Sequence, residues 1–344
     1  MKTQTLVVDA AQPQPAAIGA AAAIIRGGGL VAMPTETVYG LAADATNPAA
    51  VARIFAAKGR PSTDPLIVHI AQLTQLATIA RTTPAVFSLL AETFWPGPLT
   101  VLLPKHPAVS PAITAGFDTV AVRMPAHPVA LALIAASGVP LVAPSANLFS
   151  HPSPTCADHV LHDLDGRIDM VLDAGSSRIG VESTIVDLTQ SPAQILRLGD
   201  VSAEQLSTVL GDVLVRPRTV SNDQAAPAPG MLLRHYAPRT PISVLRGTPD
   251  AVAAAARAAA LRDRIVWLCY AEDRAGAAAA GIATIELGAR SDGAAIARAL
   301  FAALRSADAS GAERIVIAEP PGDGVAAAVR DRLYRAAEGQ IQLV

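Results

Sequence analysis

Short, nearly all-apolar runs alternate with helix-like segments from Pro15 to about Ser202, and this alternation restricts the fold more than any other feature. LVAM (30–33), PLIVHI (65–70), LTVLLP (99–104), VAVRMP (120–125) and PLVAPSAN (140–147) are brief and rich in β-branched residues, as strands covered on both faces are. Between them, 16–26 reads as a helix stopped by Gly27-Gly28-Gly29. Residues 47–58 read as a second helix, with Asn47 as cap and Pro48 in its first turn, and further helices are expected at 84–93 and 128–137. IDMVL (168–172), STIVDL (183–188) and QILRL (194–198) add three strand candidates, some of them antiparallel. The expected architecture is an α/β sheet with helices on it.

The rhythm breaks at about 204–240, where RPRTVSNDQAAPAPGMLLRHYAPRTP is rich in proline and small polar residues and reads as a linker. Structureless connections of that length are uncommon and are often functional. A passive spacer has no use for the Arg, His and Tyr of PGMLLRHYAP (229–238). Beyond it, ISVL (242–245), a helix over 249–262, RIVWLCY (264–270), a helix near 292–306, RIVIAE (314–319) and a helix over 324–337 repeat the β-α pattern. With 344 residues, a second and smaller α/β domain is expected.

Net charge is -2 and aromatic residues make up only 3%. A chain that grips nucleic-acid backbone or stacks single-stranded bases usually shows more of both. Cys156 and Cys269 lie far apart with no CxxC, which indicates neither a disulfide framework nor a zinc knuckle and fits a reducing compartment. The N-terminus lacks the pattern of a signal peptide, and the Ala-rich runs are interrupted by Arg26 and Arg257, so a cytoplasmic protein without membrane spans is expected.

Several apolar runs end in proline and a hydroxyl-rich loop, which places hydrogen-bonding groups at the end of a sheet. In PTETVYG (34–40), Thr35, Glu36 and Thr37 are either a turn whose hydroxyls bond their own backbone or part of a ligand pocket. Lys58 and Arg60, beside Ser62 and Thr63, make either a polyphosphate clamp or a cationic answer to a helix dipole. Arg123 sits in an apolar strand where an unpaired guanidinium is costly, so it needs an anion: an Asp, a Glu or a ligand carboxylate. VAPSANLFSHPSPT (142–155) repeats the design of a strand end followed by a hydroxyl-rich loop, and in GVESTIVDL (180–188) Ser183 and Thr184 open a strand. GxxxxGK[ST], a GxGxxG after a strand, and GxSxG are all missing, and His159 with His162 lacks a third metal ligand, so no metal site is expected.

Taken together, PTETVYGLAADA, KGRPSTDPLIVHI, FWPGPLTVLLP, VAVRMP, PLVAPSANLFSHPSPT, STIVDL and PGMLLRHYAP resemble the Sua5/YrdC family in its long Sua5 form. The resemblance implies a YrdC-like twisted open mixed sheet with helices over 15–203, a linker or lid over 204–240 with its HYAP motif, and a Rossmann-like α/β C-terminal domain over 241–344. It implies threonylcarbamoyl-AMP synthesis: L-threonine, bicarbonate or CO2, and ATP give L-threonylcarbamoyladenylate and pyrophosphate. That product serves the N6-threonylcarbamoyl modification of adenosine 37 in tRNA through downstream transferase proteins, with weak tRNA binding by the enzyme itself left open. By the same resemblance Thr35, His69, Arg123, the Ala143 backbone and Ser183 hold threonine. Lys58, Arg60, Ser62, Thr119, Ser145, Asn147, Ser153 and Arg197 surround ATP with its Mg2+, and Tyr236 closes over it. Lys58 and Arg60 are the expected catalytic cations. The family commonly reads Ser-Asp and then Asn or Lys before Pro-Leu, whereas here Ser62 is followed by Thr63 and Asp64. The rival from another class is an RNA-binding module without adenylation, which the low charge disfavours.

Overall fold

The structure is a computed structural model that describes residues 2–216 and 224–344; residues 217–223 of the expected linker lie outside the described residues. The chain divides into two compact units, the second made of 150–152, 179–181 and 233–344 and the first of the remainder.

The first unit contains, in chain order, β1 (Gln4–Val7), α1 (Pro15–Arg26), β2 (Val31–Met33), β3 (Gly40–Asp44), α2 (Pro48–Lys58), β4 (Ile67–His69), α3 (Phe87–Phe94), β5 (Leu99–Pro104) and β6 (Thr119–Arg123). It continues with α4 (Pro128–Ser137), β7 (Leu141–Val142), α5 (Ala157–Leu164), β8 (Met170–Asp173), β9 (Thr184–Asp187), β10 (Ala193–Arg197), α6 (Ala203–Leu210) and β11 (Val213–Val215). The strands form one mixed sheet in the order β1-β8-β2-β3-β7-β4-β6-β5-β9-β10-β11. β2–β3, β3–β7, β4–β7, β5–β6 and β9–β10 are antiparallel, and the others are parallel.

Local signals explain most boundaries. Asn47 accepts from the amides of Ala49 and Ala50 at 3.0 and 3.2 Å and so starts α2, while Gly59 in a left-handed conformation (φ 63°) ends it. One apolar layer packs Val51 and Ile54 of α2, Phe87 and Leu90 of α3, Val160 of α5 and Leu206 of α6 against Val68, Val101, Val122 and Val186. On the opposite face, α1 and α4 bury Ile18, Ile25, Leu133 and Ile134 against Val31, Met33, Ala42, Leu141 and Ala143. That helical cover reaches β7. From β4 onward the same face is met by Ala226, Ala228 and Met231, which pack on Ile67, Ala121, Leu102 and Ile185.

Two local expectations need correction. The start of the expected linker is helical: Ser202 and Gln205 form a capping box that nucleates α6, a local signal that composition hides. PLVAPSAN contributes only a two-residue strand, because Pro144 cannot continue the ladder.

The second unit has β12 (Ile242–Arg246), α7 (Pro249–Ala260), β13 (Ile265–Cys269), α8 (Arg274–Ala279), β14 (Ala283–Glu286), α9 (Gly293–Ala309), β15 (Arg314–Ala318), α10 (Val325–Ala336) and β16 (Ile341–Leu343). Its sheet is wholly parallel, ordered β14-β13-β15-β12-β16, as a Rossmann-like expectation requires.

Candidate active site

β2 ends at Met33 before Pro34, and the next turn is held by one hydroxyl. Thr35 Oγ1 donates to the Val38 carbonyl at 2.6 Å, lies 2.9 Å from Thr37 Oγ1 and accepts from the amides of Thr37 and Val38. That turn aims its neighbours at Arg123. Nη2 of Arg123 donates to Glu36 Oε1 at 2.6 Å, Nη1 to Thr37 Oγ1 at 2.9 Å and Nε to the Gly97 carbonyl at 3.2 Å. The anion that the apolar strand demands is therefore supplied by Glu36. Burial alone pushes the Glu36 carboxyl up, but the charge and hydrogen bond of Arg123, with the amides of Glu36 and Ala126, outweigh it and leave the group below its ordinary value.

Sheet register gathers the other polar groups. His69 of β4 pairs with Arg123 of β6, Arg123 with Thr100 of β5, Thr100 with Ile185 of β9, and Ile185 with Arg197 of β10. Lateral partners share a face, so His69, Arg123, Thr100 and Arg197 form one row across five strands. The row lies on the face where the cover of α1 and α4 has ended. Ser183 joins it: its hydroxyl is 2.8 Å from Thr100 Oγ1 and accepts from Arg197 Nη2 at 3.0 Å. Arg197 Nε donates to the Ser183 carbonyl, and Nη1 donates to the Pro229 carbonyl at 3.3 Å.

His69 is fully buried, and burial first, then the charge of Arg123, pushes its imidazole down to about 3. Its Nδ1 lies 3.2 Å from the Ile67 carbonyl, which can only accept. Nδ1 therefore carries the proton, and Nε2 is left as an acceptor.

A second group lies beyond α2. Lys58 is buried, and its Nζ donates to the carbonyls of Asn147, at 2.6 Å, and Ser145. Arg60 Nε donates to the Asp64 carbonyl at 3.0 Å and Nη2 to the Pro65 carbonyl at 2.6 Å. Asn147 and Ser153 are buried, with the Ser153 hydroxyl donating to Glu182 Oε1, while Ser145 and Thr119 are half-buried and Ser62 is exposed. Ala143 donates its amide to the Ile67 carbonyl at 3.1 Å, and its Cβ limits Gly40. Thr119 shares the face of Arg123 but lies at the far end of β6. Tyr236 belongs to the second unit, where it stacks on Phe301 at 5.6 Å beneath the Arg332 guanidinium, with φ of 60°. Gly97, Thr100 and Glu182 are partners absent from the expected site, while Glu36 and Thr37, singled out with Thr35 as a turn or part of a pocket, prove to be the partners of Arg123. Of the three missed residues, Thr100 alone, one hydroxyl inside the apolar run LTVLLP, carried a local sign.

Residues 23–199 match the family model of Sua5, YciO and YrdC, described as telomere recombination, and 201–338 match the threonylcarbamoyl-AMP synthase C-terminal domain. The chain belongs to the Sua5/YrdC family. Within that family it is similar to the threonylcarbamoyl-AMP synthase of Bacillus subtilis, with 42% identity over 348 residues and 99% of each chain covered. It is also 51% identical to the Pyrococcus abyssi threonylcarbamoyl-AMP synthase over 233 residues, covering 67% of this chain and 68% of that one. The crystal structure of P. abyssi Sua5 complexed with L-threonine superposes with a TM-score of 0.90 at 42% identity, covering 99% of this chain and 100% of the other. The match to both family models identifies the long Sua5 form.

Proposed function

We propose that the polar row and the neighbouring Lys58–Arg60 loop are the active site of a threonylcarbamoyl-AMP synthase, acting on L-threonine, CO2 or bicarbonate, and ATP. The observation that carries this reading is the single register row that sets His69, Arg123, Thr100 and Arg197 side by side, with Ser183 bonded to two of them. Arg123 is held on Glu36, Thr37 and Gly97, so its fork is already oriented for an amino-acid carboxylate before substrate arrives. Thr35 shapes the turn that places Glu36 and Thr37. The related P. abyssi Sua5 was crystallised as a complex with L-threonine, which supports assigning Thr35, His69, Arg123, Ala143 and Ser183 to that substrate.

In this mechanism threonine's neutral amine attacks CO2 and loses a proton to solvent to give an N-carboxylate, whose oxygen then displaces pyrophosphate at the α-phosphorus of ATP. A ring that resists protonation down to about pH 3 is a poor base for an ammonium at neutral pH, so His69 serves as a hydrogen-bond acceptor and not as the proton carrier. Lys58, Arg60 and Arg197 stabilise charge on the phosphate oxygens while Arg123 holds the amino acid in line. Ser62, Thr119, Ser145, Asn147 and Ser153 complete the nucleotide contacts. Mg2+ would be carried on the triphosphate and would supply further charge stabilisation at its oxygens.

Catalysis is assigned to 15–203, with 204–240 as a closing segment and 241–344 as an accessory domain. The adenylate is a mixed anhydride, and downstream transferase proteins would pass its acyl group to tRNA. No helix among the described residues is long and apolar enough to cross a membrane. The deciding experiment measures pyrophosphate release with ATP, Mg2+ and bicarbonate, comparing L-threonine, L-serine and no amino acid. Threonine-dependent release is expected; release indifferent to the amino acid would remove the threonine pocket.

A further inference from the structure

Asp64 lies on the loop after α2 and is fully buried, and its carboxylate is held chiefly by charge, with an amide hydrogen bond from Gly230 as a smaller contribution. A buried carboxylate needs such compensation. Its Oδ2 is 3.0 Å from Nη2 of Arg60, four residues earlier, and that guanidinium also donates to the carbonyls of Asp64 and Pro65. Lys58 at the end of α2 and Arg197 of β10 add their positive charge, and the Gly230 amide adds a weaker attraction. These three cations are the ones assigned above to the triphosphate. A carboxylate thus lies against Arg60 and within the positive field of Lys58 and Arg197 that the triphosphate would use.

A buried carboxylate and a polyphosphate cannot readily share that field at full charge. Like charges a few ångströms apart in a buried setting drive one group to take up a proton or leave. Asp64 is already predisposed to the neutral form, because burial raises its carboxyl above the ordinary value in spite of the three cations. It cannot leave readily, since Asp64 is packed at 0% exposure between Thr63 and Pro65, with the Thr63 carbonyl accepting from the Ala226 amide at 3.1 Å.

We propose that Asp64 is a positioning residue that pairs with Arg60 within the positive field of Lys58 and Arg197 while the nucleotide site is empty, and that it takes up one solvent proton when ATP binds and claims those cations. This rests on the reading of the three cations as triphosphate ligands. The consequence is an ATP affinity that weakens as pH rises, by at most about tenfold per pH unit for one linked proton. The γ-phosphate of free ATP also titrates near neutrality, a contribution common to every variant, so the comparison rests on differences between variants.

The test measures KM for ATP and kcat separately from pH 6 to 9, with saturating threonine and bicarbonate, for wild type, Asp64→Asn and Arg60→Ala. Calorimetry of a non-hydrolysable ATP analogue, in buffers of different ionisation heat, counts the protons taken up. Wild type is expected to show KM rising with pH and close to one proton more uptake than Asp64→Asn. Asp64→Asn is expected to have a lower KM at pH 8 and a flatter profile, with kcat moving less than KM. Equal slopes and equal proton uptake in the two proteins would overturn the proposal, as would a lowered Tm with an unchanged KM profile. If Arg60→Ala binds the analogue as well as wild type, the nucleotide-site reading itself fails; if Arg60→Ala weakens binding while Asp64→Asn leaves the slope unchanged, only the role of Asp64 fails. Should Asp64→Asn not fold, calorimetry on wild type decides, and no uptake beyond that of the nucleotide overturns the proposal.

Discussion

Glu36 and Arg123 lie 87 residues apart in sequence and meet at 2.6 Å, with neither side chain more than 5% exposed. Glu36 comes from the turn after β2 and Arg123 from the end of β6, so the pair ties the two halves of the first unit's sheet together beside the proposed threonine pocket. Removing one partner of such a pair leaves a buried charge uncompensated. Glu36→Ala is therefore expected to destabilise the protein by about 3–5 kcal/mol. Urea unfolding provides the check, and a loss below about 1 kcal/mol would show that water or another group replaces the carboxylate.

Arg60 donates to two carbonyls and faces Asp64, so its fork is fixed before any nucleotide arrives. Loss of a charge-stabilising donor of this kind lowers kcat/KM on the order of a hundredfold. Arg60→Ala should show that drop in threonine-dependent pyrophosphate release. Arg60→Lys should recover little of it, because an ammonium cannot reproduce the planar fork. Activity within a few-fold of wild type for Arg60→Ala would end its catalytic assignment.

His69 links stability to acid. Unfolded, its ring takes a proton near 6.5, whereas burial and the Arg123 charge hold the folded ring down to about 3. Between those values the unfolded chain binds more protons, so stability is full above about pH 6.5 and falls as pH drops toward 3. Glu36, also depressed, adds to the fall at the acid end. Urea midpoints at pH 7 and pH 5 should differ more for wild type than for His69→Gln; an equal loss in both would show that the ring is not buried neutral.

Gly199 follows β10 where the chain crosses the start of β9. A Cβ there would stand 2.3 Å from the Thr184 amide nitrogen and 2.6 Å from the Glu182 carbonyl, so the backbone itself would have to move. Gly199→Ala is expected to cost about 1–3 kcal/mol, as overpacking does. It should also lower kcat/KM, since the displaced segment carries Ser183. Unchanged denaturation and unchanged kinetics would show that the segment relaxes freely.

Much of this protein was legible in local sequence. The alternation of apolar runs with capped helices announced an α/β sheet, Asn47 and Pro48 marked the start of α2, the proline-terminated runs marked the loops at Thr35 and Ser145, and Ser183 with Thr184 marked the opening of β9. These signals are short-range: a cap, a breaker or a periodicity needs only its neighbours in the chain. α6 was masked because its capping box lies at the edge of a segment whose composition reads as linker. Register is not short-range. That His69, Arg123, Thr100, Ile185 and Arg197 fall in one row follows from pairing β4 with β6, β6 with β5, β5 with β9 and β9 with β10, in an order unlike that of the chain. Sequence alone showed that Arg123 needed an anion; only the tertiary structure chose Glu36, because that choice depends on which loop the sheet order brings to the end of β6.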